Sequence, residues 1–266
     1  MPNETGGSKA TVVELAARFR AEMIPLGKKF SYFTATPVAE EDLKPYLHEP
    51  LGALPAALHP VLPRIGIVLV PYLEKGSGRG ADVVAYQKPK EPRQLFSSAV
   101  IAGDSATFFF AIKDEEVSEY HYSLYNAIAS LVFSRLGENA RERFLRVLRE
   151  ELSARVHGEV DERSWRLKQA LARREGKSNK ESKLFREYAA QAFEDTLTLY
   201  LHGICCDIDV DTGPRQMPSR YLRKRLEALN ELFPPPEGHA VFPEDGNRRD
   251  RVKKKPGATG NIGLLQ

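Results

Sequence analysis

The strong strand candidates of this chain fall between residues 64 and 113, whereas helical spacing dominates from Asp114 to Phe233. Segregation of that kind excludes alternating βαβ units and leaves an α+β fold, with sheet and helices drawn from separate stretches. Arg64-Ile-Gly-Ile-Val-Leu-Val-Pro-Tyr-Leu-Glu74 is the strongest strand candidate. The glycine-rich Lys75-Gly-Ser-Gly-Arg-Gly80 separates it from Ala81-Asp-Val-Val-Ala-Tyr-Gln87, and two further strands, 94 to 102 and 106 to 113, flank Gly103-Asp-Ser105 as a turn. The expectation is a mainly antiparallel sheet of about four strands.

In front of the sheet, Thr11-Val-Val-Glu14 reads as a capping box: the threonine accepts from the helix start while Glu14 reaches back. Val12, Leu15, Phe19 and Met23 follow at helical spacing, which predicts a first helix ending near Pro25. Prolines recur from residue 37 to 63, and each removes a donor and fixes φ, so this stretch reads as a packed connector with short helical turns. Behind the sheet, helices are expected over residues 115 to 136, 139 to 156, from Asp161 onward, 180 to 203 and 219 to 233, the last stopped by Pro234-Pro-Pro236. The organisation expected is a disordered terminus (1–10), one two-lobed domain (sheet lobe 11–113, helical lobe 114–236) and a loosely ordered basic tail (237–266).

The charge is mixed, with 39 basic against 36 acidic residues, so nucleic acid is not the default partner. No apolar run approaches the ~20 residues that span a bilayer and no signal-like segment opens the chain, so a cytoplasmic protein without a membrane partner is expected. The two cysteines, Cys205 and Cys206, are adjacent, which excludes a disulfide scaffold. They belong to the densest cluster of versatile side chains, Leu199-Tyr-Leu-His-Gly-Ile-Cys-Cys-Asp-Ile-Asp-Val-Asp-Thr-Gly213.

No complete cofactor motif closes around that cluster. Gly76-Ser-Gly-Arg-Gly80 joins two strands where a phosphate loop needs a following helix, so it reads as a hairpin loop. The run from Asp207 fails as a calcium loop, because its glycine comes one residue late and Pro218 stands where a bidentate glutamate is needed. No cofactor is evident, but zinc or another divalent metal has candidate ligands: His121, Tyr125, His157, Glu159, Asp195, His202, Cys205, Cys206 and Asp207. Asp195 and His202 share a polar stripe with Gln191 and Thr198, which reads as a solvated or interface-facing side of its helix. His121 sits on an apolar helix face one turn before Tyr125, and His157 closes a helix just ahead of Glu159.

A backing helix, antiparallel strands, a helix after the last strand and a later glutamate-bearing lobe resemble small zincin metallopeptidases of the gluzincin type. The resemblance spans residues 11 to 175 and rests on element order. In that family the helix carries H-E-x-x-H, with two zinc-binding histidines, a glutamate that activates water, and a downstream glutamate as third ligand. Here the corresponding segment is His121-Tyr-Ser-Leu-Tyr125: His121 matches the first histidine, Tyr122 replaces the base, Tyr125 replaces the second histidine, and Glu159 stands where the third ligand would be. A phenol cannot take water's proton near neutral pH, so the resemblance implies a zincin-like protein without peptidase activity that acts by binding. Two other classes stay open. One is a metal-dependent hydrolase with a non-standard ligand pattern drawn from the residues above. The other is an interaction module that holds an acidic protein partner through Arg220, Arg223, Lys224, Arg225 and the basic tail.

Overall fold

A computed structural model describes residues 10–78, 80–173, 182–206 and 217–242. The predicted frayed N-terminus up to residue 9, the break at Gly176-Lys-Ser-Asn179, Asp207 with its alternating aspartates, and the basic tail beyond residue 242 lie outside these residues, whereas Phe242, predicted in the tail, is buried in the core. The fold is α+β, with an N-terminal helix and a helical C-terminal half. Helix α1 (Val12–Phe19) starts at the expected capping box, in which Thr11 Oγ1 accepts from the Glu14 backbone N–H at 3.2 Å and the Thr11 N–H donates to the Glu14 carboxylate at 2.9 Å.

The main sheet has five strands, in the order β1 (Ile24–Pro25), β2 (Phe30–Thr34), β3 (Arg64–Val70), β8 (Ser105–Ala111) and β7 (Ser97–Ala102). A small second sheet orders β5 (Val83–Ala85), β4 (Tyr72–Glu74) and β6 (Gln94–Leu95). Four of the six pairings are antiparallel, but the two at the centre, β2 with β3 and β3 with β8, are parallel. The sequence reading missed β1 and β2, and it drew β3 and β4 as one strand. Pro71 separates them: it has no N–H to donate to a ladder, and there the chain leaves one sheet for the other.

Parallel neighbours require a crossover. The proline-rich connector supplies it between β2 and β3, through α2 (Glu40–Leu43), a π-helical turn over Lys44–His48, α3 (Glu49–Gly52) and a 3₁₀ turn over Ala56–Leu58. Side chains alternate along β3 and β8 and so feed two cores. Ile65, Ile67 and Leu69 join Phe108, Phe110 and the helical half on one face. Val68 and Val70 join Phe109, Val12, Leu15 and Phe19 on the other. The apolar interior is therefore continuous from the sheet into helices α4 (Val117–Ser130), α5 (Glu138–Ser153), α6 (Glu162–Ala172), α7 (Lys183–Cys206) and α8 (Ser219–Leu232). Among the described residues no helix is long and apolar enough to cross a membrane.

The glycine-rich segment joins the antiparallel strands β4 and β5, as a hairpin loop should. A Cβ at Gly76 would lie 2.3 Å from the Gly80 carbonyl oxygen and 2.4 Å from that of Ala81, so only glycine fits. Gly76→Ala is expected to lower unfolding stability by about 1–3 kcal/mol through backbone displacement. Gly52→Ala, where nothing lies within 4 Å, should be neutral or mildly stabilising in the same urea titration.

Candidate metal centre

The centre forms where α4, the last turn of α7 and the π-helical turn meet. His121 on α4 is 5% exposed, and its Nδ1 lies 3.2 Å from Cys206 Sγ and 3.8 Å from Cys205 Sγ. On its other side, Nε2 is 2.7 Å from the carbonyl oxygen of Pro45. A carbonyl only accepts, so Nε2 carries the proton and Nδ1 presents a bare lone pair to the two sulfurs whenever the ring is neutral. The three ligand atoms all lie within 4.8 Å of one another.

The sequence explains why that carbonyl is available. In the π-helical turn the Glu49 N–H bonds to the Lys44 carbonyl, five residues back. In that register the N–H of residue 50 would serve Pro45, but residue 50 is proline and has none. Pro45's carbonyl is left for His121. The next turn repeats the pattern: the Leu54 N–H goes to Leu51, and the carbonyl of Pro50 instead accepts from the Tyr125 hydroxyl at 3.0 Å. The carbonyls of two prolines in one short crossover thus hold His121 and Tyr125, one helical turn apart on α4.

Burial disfavours charge on each member, yet the members support one another. Burial alone would lower the His121 pKa; hydrogen bonding to Cys205 and to the Pro45 carbonyl outweighs it and raises the pKa. Burial likewise raises the Cys205 thiol, and hydrogen bonds to His121, Tyr125 and Cys206 with the charge on His121 outweigh it and bring that thiol below its ordinary range. Burial, then the charge on Cys205, push Cys206 up to about 12. Nδ1 is nearer to Cys206, so the ionisation belongs to the pair: one proton leaves readily and the second with difficulty. A bound cation would reverse that second penalty, and the C-terminal turn of α7 favours positive charge.

His202 and Asp195 continue the polar stripe of α7, which faces neighbouring helices rather than solvent, the second of the two expectations. Gln191, Asp195, Thr198 and His202 are all buried, because α4 and α6 pack over that side of the helix. His202 lies one turn before the cysteines, with ring contacts to Tyr122 at 5.7 Å and Tyr125 at 6.2 Å. Burial, then the charge on His121, lower its pKa to about 4, against a backbone hydrogen bond to Ser118. Its Nε2 has no hydrogen-bond partner among the described residues.

Asp195 accepts from Gln191 Nε2 at 2.7 Å through Oδ1, and its Oδ2 has no hydrogen-bond partner among the described residues. Burial raises its pKa from 3.8 to about 6. The folded carboxyl thus keeps its proton to higher pH than the unfolded one, and folding stability falls as pH rises from about 4 to 6 and stays reduced above. Asp195→Asn should therefore be more stable than the parent at pH 7 by about 1–3 kcal/mol, with the gain vanishing near pH 4. Urea midpoints at both pH values measure this.

Other sequence candidates lie elsewhere. His157 is exposed and borders a hollow of about 460 Å³ with Val156, Leu171 and Phe185. A second hollow of about 1160 Å³, between α1 and the small sheet, holds none of the candidate ligands. Glu159 must be withdrawn as a ligand. It is 1% exposed, and its oxygens are taken by Arg225 at 2.8 Å, Lys168 at 3.0 Å and the Tyr188 hydroxyl at 2.5 Å.

Arg225 is likewise no part of a docking face. It is fully buried and also binds Glu151, with Nε at 2.9 Å and Nη2 at 2.5 Å from its carboxylate. The signal was present in the sequence, since Leu222, Arg225, Leu226 and Leu229 form one helical stripe, and the arginine lies on the core side. Of the remaining predicted face, Lys224 pairs with Glu150, Arg223 pairs with Glu227 at 3.1 Å, and Arg220 covers the Tyr221 ring at 4.8 Å. The carbonyls of Pro45 and Pro50 were missed altogether, because only the crossover brings them over α4. No protein-family model, curated protein or solved structure matches this chain.

Proposed function

We propose that this protein binds one soft divalent metal ion, zinc foremost, through His121, Cys205 and Cys206, and acts through the bound metal without peptidase activity. The observation that carries the reading is the orientation of His121. Its Nε2–H is committed to the Pro45 carbonyl and its bare Nδ1 faces two thiols within 4.8 Å. Metal-binding histidines characteristically give their second nitrogen to a carbonyl in this way, which fixes the tautomer and raises ligand basicity.

The donor set suits zinc. Tetrahedral zinc with Zn–S near 2.3 Å and Zn–N near 2.0 Å requires ligand atoms about 3.3–3.8 Å apart. The sulfur–nitrogen separations of 3.2 and 3.8 Å lie either side of the roughly 3.5 Å that such a pair needs, within a few tenths of an ångström. Thiolate and imidazole donors disfavour magnesium and calcium, which take oxygen.

In the zincin comparison, this reading keeps the first histidine on the helix after the last strand and moves the remaining ligands to α7. Tyr122 and Tyr125 occupy the base and second-histidine positions, and burial raises both phenols, with Tyr122 pushed up to about 12. Neither supplies a base at neutral pH. Binding is thus the favoured role over metal-dependent hydrolysis.

Cobalt(II) titration of the full chain, stripped of metal by chelation, tests the reading. Thiolate-to-cobalt charge-transfer absorption saturating at one equivalent is expected, with zinc bleaching it. Absorption unchanged in the Cys205→Ser/Cys206→Ser variant would contradict it.

A further inference from the structure

The three-residue group leaves one position of a tetrahedral ion without a protein ligand, and the polar group next in line on α7 is His202. We propose that His202 is that fourth ligand, so that the centre is a closed site of two thiolates and two imidazoles, with α7 supplying three of the four. The inference rests on the metal-binding reading of His121, Cys205 and Cys206 and extends it.

Three observations point to His202. The first is spacing. His202 precedes Cys205 and Cys206 by three and four residues, the separations at which side chains stand together on one helix face. The second is an unmet need. His202 is 7% exposed and its Nε2 has no hydrogen-bond partner among the described residues. A buried polar nitrogen left without a partner costs roughly 1–3 kcal/mol, which a metal bond would offset.

The third is the way both rings are held. His121 gives Nε2–H to the Pro45 carbonyl and leaves Nδ1 bare, while His202 is held by the backbone of Ser118 and leaves Nε2 bare. Each imidazole is thus tied by one nitrogen to backbone on or beside α4 and offers the other. The ring of His202 lies 6.2 Å from that of Tyr125, which in turn lies 6.4 Å from that of His121, so the two histidines flank one tyrosine at the α4–α7 contact.

The Nε2 of His202 lies outside the group whose ligand atoms fall within 4.8 Å of one another. Coordination therefore requires rotation about the His202 side-chain bonds, with the helix backbone unchanged, and exchanges the contact with Ser118 for the metal bond. Four protein ligands and burial are the marks of a structural zinc site, whereas a catalytic one keeps a position for water. A closed centre would lock the end of α7 to α4 and to the crossover that holds His121.

X-ray absorption at the zinc edge on the zinc-loaded full chain tests this without any substitution. Two sulfur and two imidazole ligands are expected. Two sulfurs, one imidazole and an oxygen would overturn the role of His202, and would place a water between it and the metal while leaving the three-residue site intact. His202→Ala should weaken zinc affinity by more than about 100-fold, above the range for outer contacts to a metal ligand. Equal affinity of the variant and the parent, measured by chelator competition on protein with an unchanged circular dichroism spectrum, would overturn it as well. A parent chain that takes up no zinc would remove both the fourth ligand and the site it completes.

Discussion

Arg225→Met is expected to cost about 3–5 kcal/mol of unfolding free energy, because it leaves a pair of buried carboxylates with one cation between them. Glu151 and Glu159 are each 1% exposed, and the guanidinium bridges them with bonds of 2.5 to 3.1 Å. Lys168 adds a second cation to Glu159, so the cluster holds two positive and two negative groups and is neutral as a whole. Removing Arg225 leaves it with net charge −1 in a medium where an unpaired charge is costly.

Adding Glu151→Met to Arg225→Met restores the balance, since Glu159 keeps Lys168. The double variant should recover at least half of the loss, and a double-mutant cycle in urea would show a coupling of about 2 kcal/mol or more. Acidity supplies a second readout. Burial would raise the Glu159 pKa, but Arg225 outweighs it and holds the group down to about 2. Without the arginine that hold on Glu159 is lost, so the deficit of the single variant should shrink as pH falls below about 5. A change under 0.5 kcal/mol would mean that Arg225 lies on a solvated face.

Zinc is expected to have an effect of similar size. An ion that binds only the folded chain adds RT ln(1 + [Zn]/Kd), about 2.7 kcal/mol at a hundredfold excess over Kd. For a chain of this length that corresponds to a rise in Tm of roughly 5–10 °C. The gain should be lost in Cys205→Ser/Cys206→Ser. It should also grow between pH 6 and 8, because the thiol pair must give up protons that the metal displaces. Calcium and magnesium at the same excess should leave Tm unchanged.

How far the sequence foretold these features depended on whether the determinant was local. The capping box at Thr11 and Glu14, the Asp161 cap of α6 and the helical stretches are set by neighbours in the chain, and the structure has them where the sequence put them. The parallel pairing at the centre of the main sheet is not local. It depends on the 37–63 crossover returning beside β2, and Phe30-Ser-Tyr-Phe-Thr34 is too short to announce itself as a strand. The cysteine pair and His121 were legible as chemistry, but their meeting was not: 84 residues separate Cys205 from His121, and only the packing of α4 on α7 joins them. Glu159 and Arg225 were misplaced for one shared reason. Charged residues were assigned to the surface or to a ligand set, whereas the fold buries them against each other.

The most direct test of the account is the zinc content of the full chain after dialysis against excess zinc and removal of free metal. One zinc per chain is predicted, with less than a tenth of that retained by Cys205→Ser/Cys206→Ser. No zinc in the parent, or equal zinc in parent and variant, would contradict the assignment of His121, Cys205 and Cys206 as a metal centre.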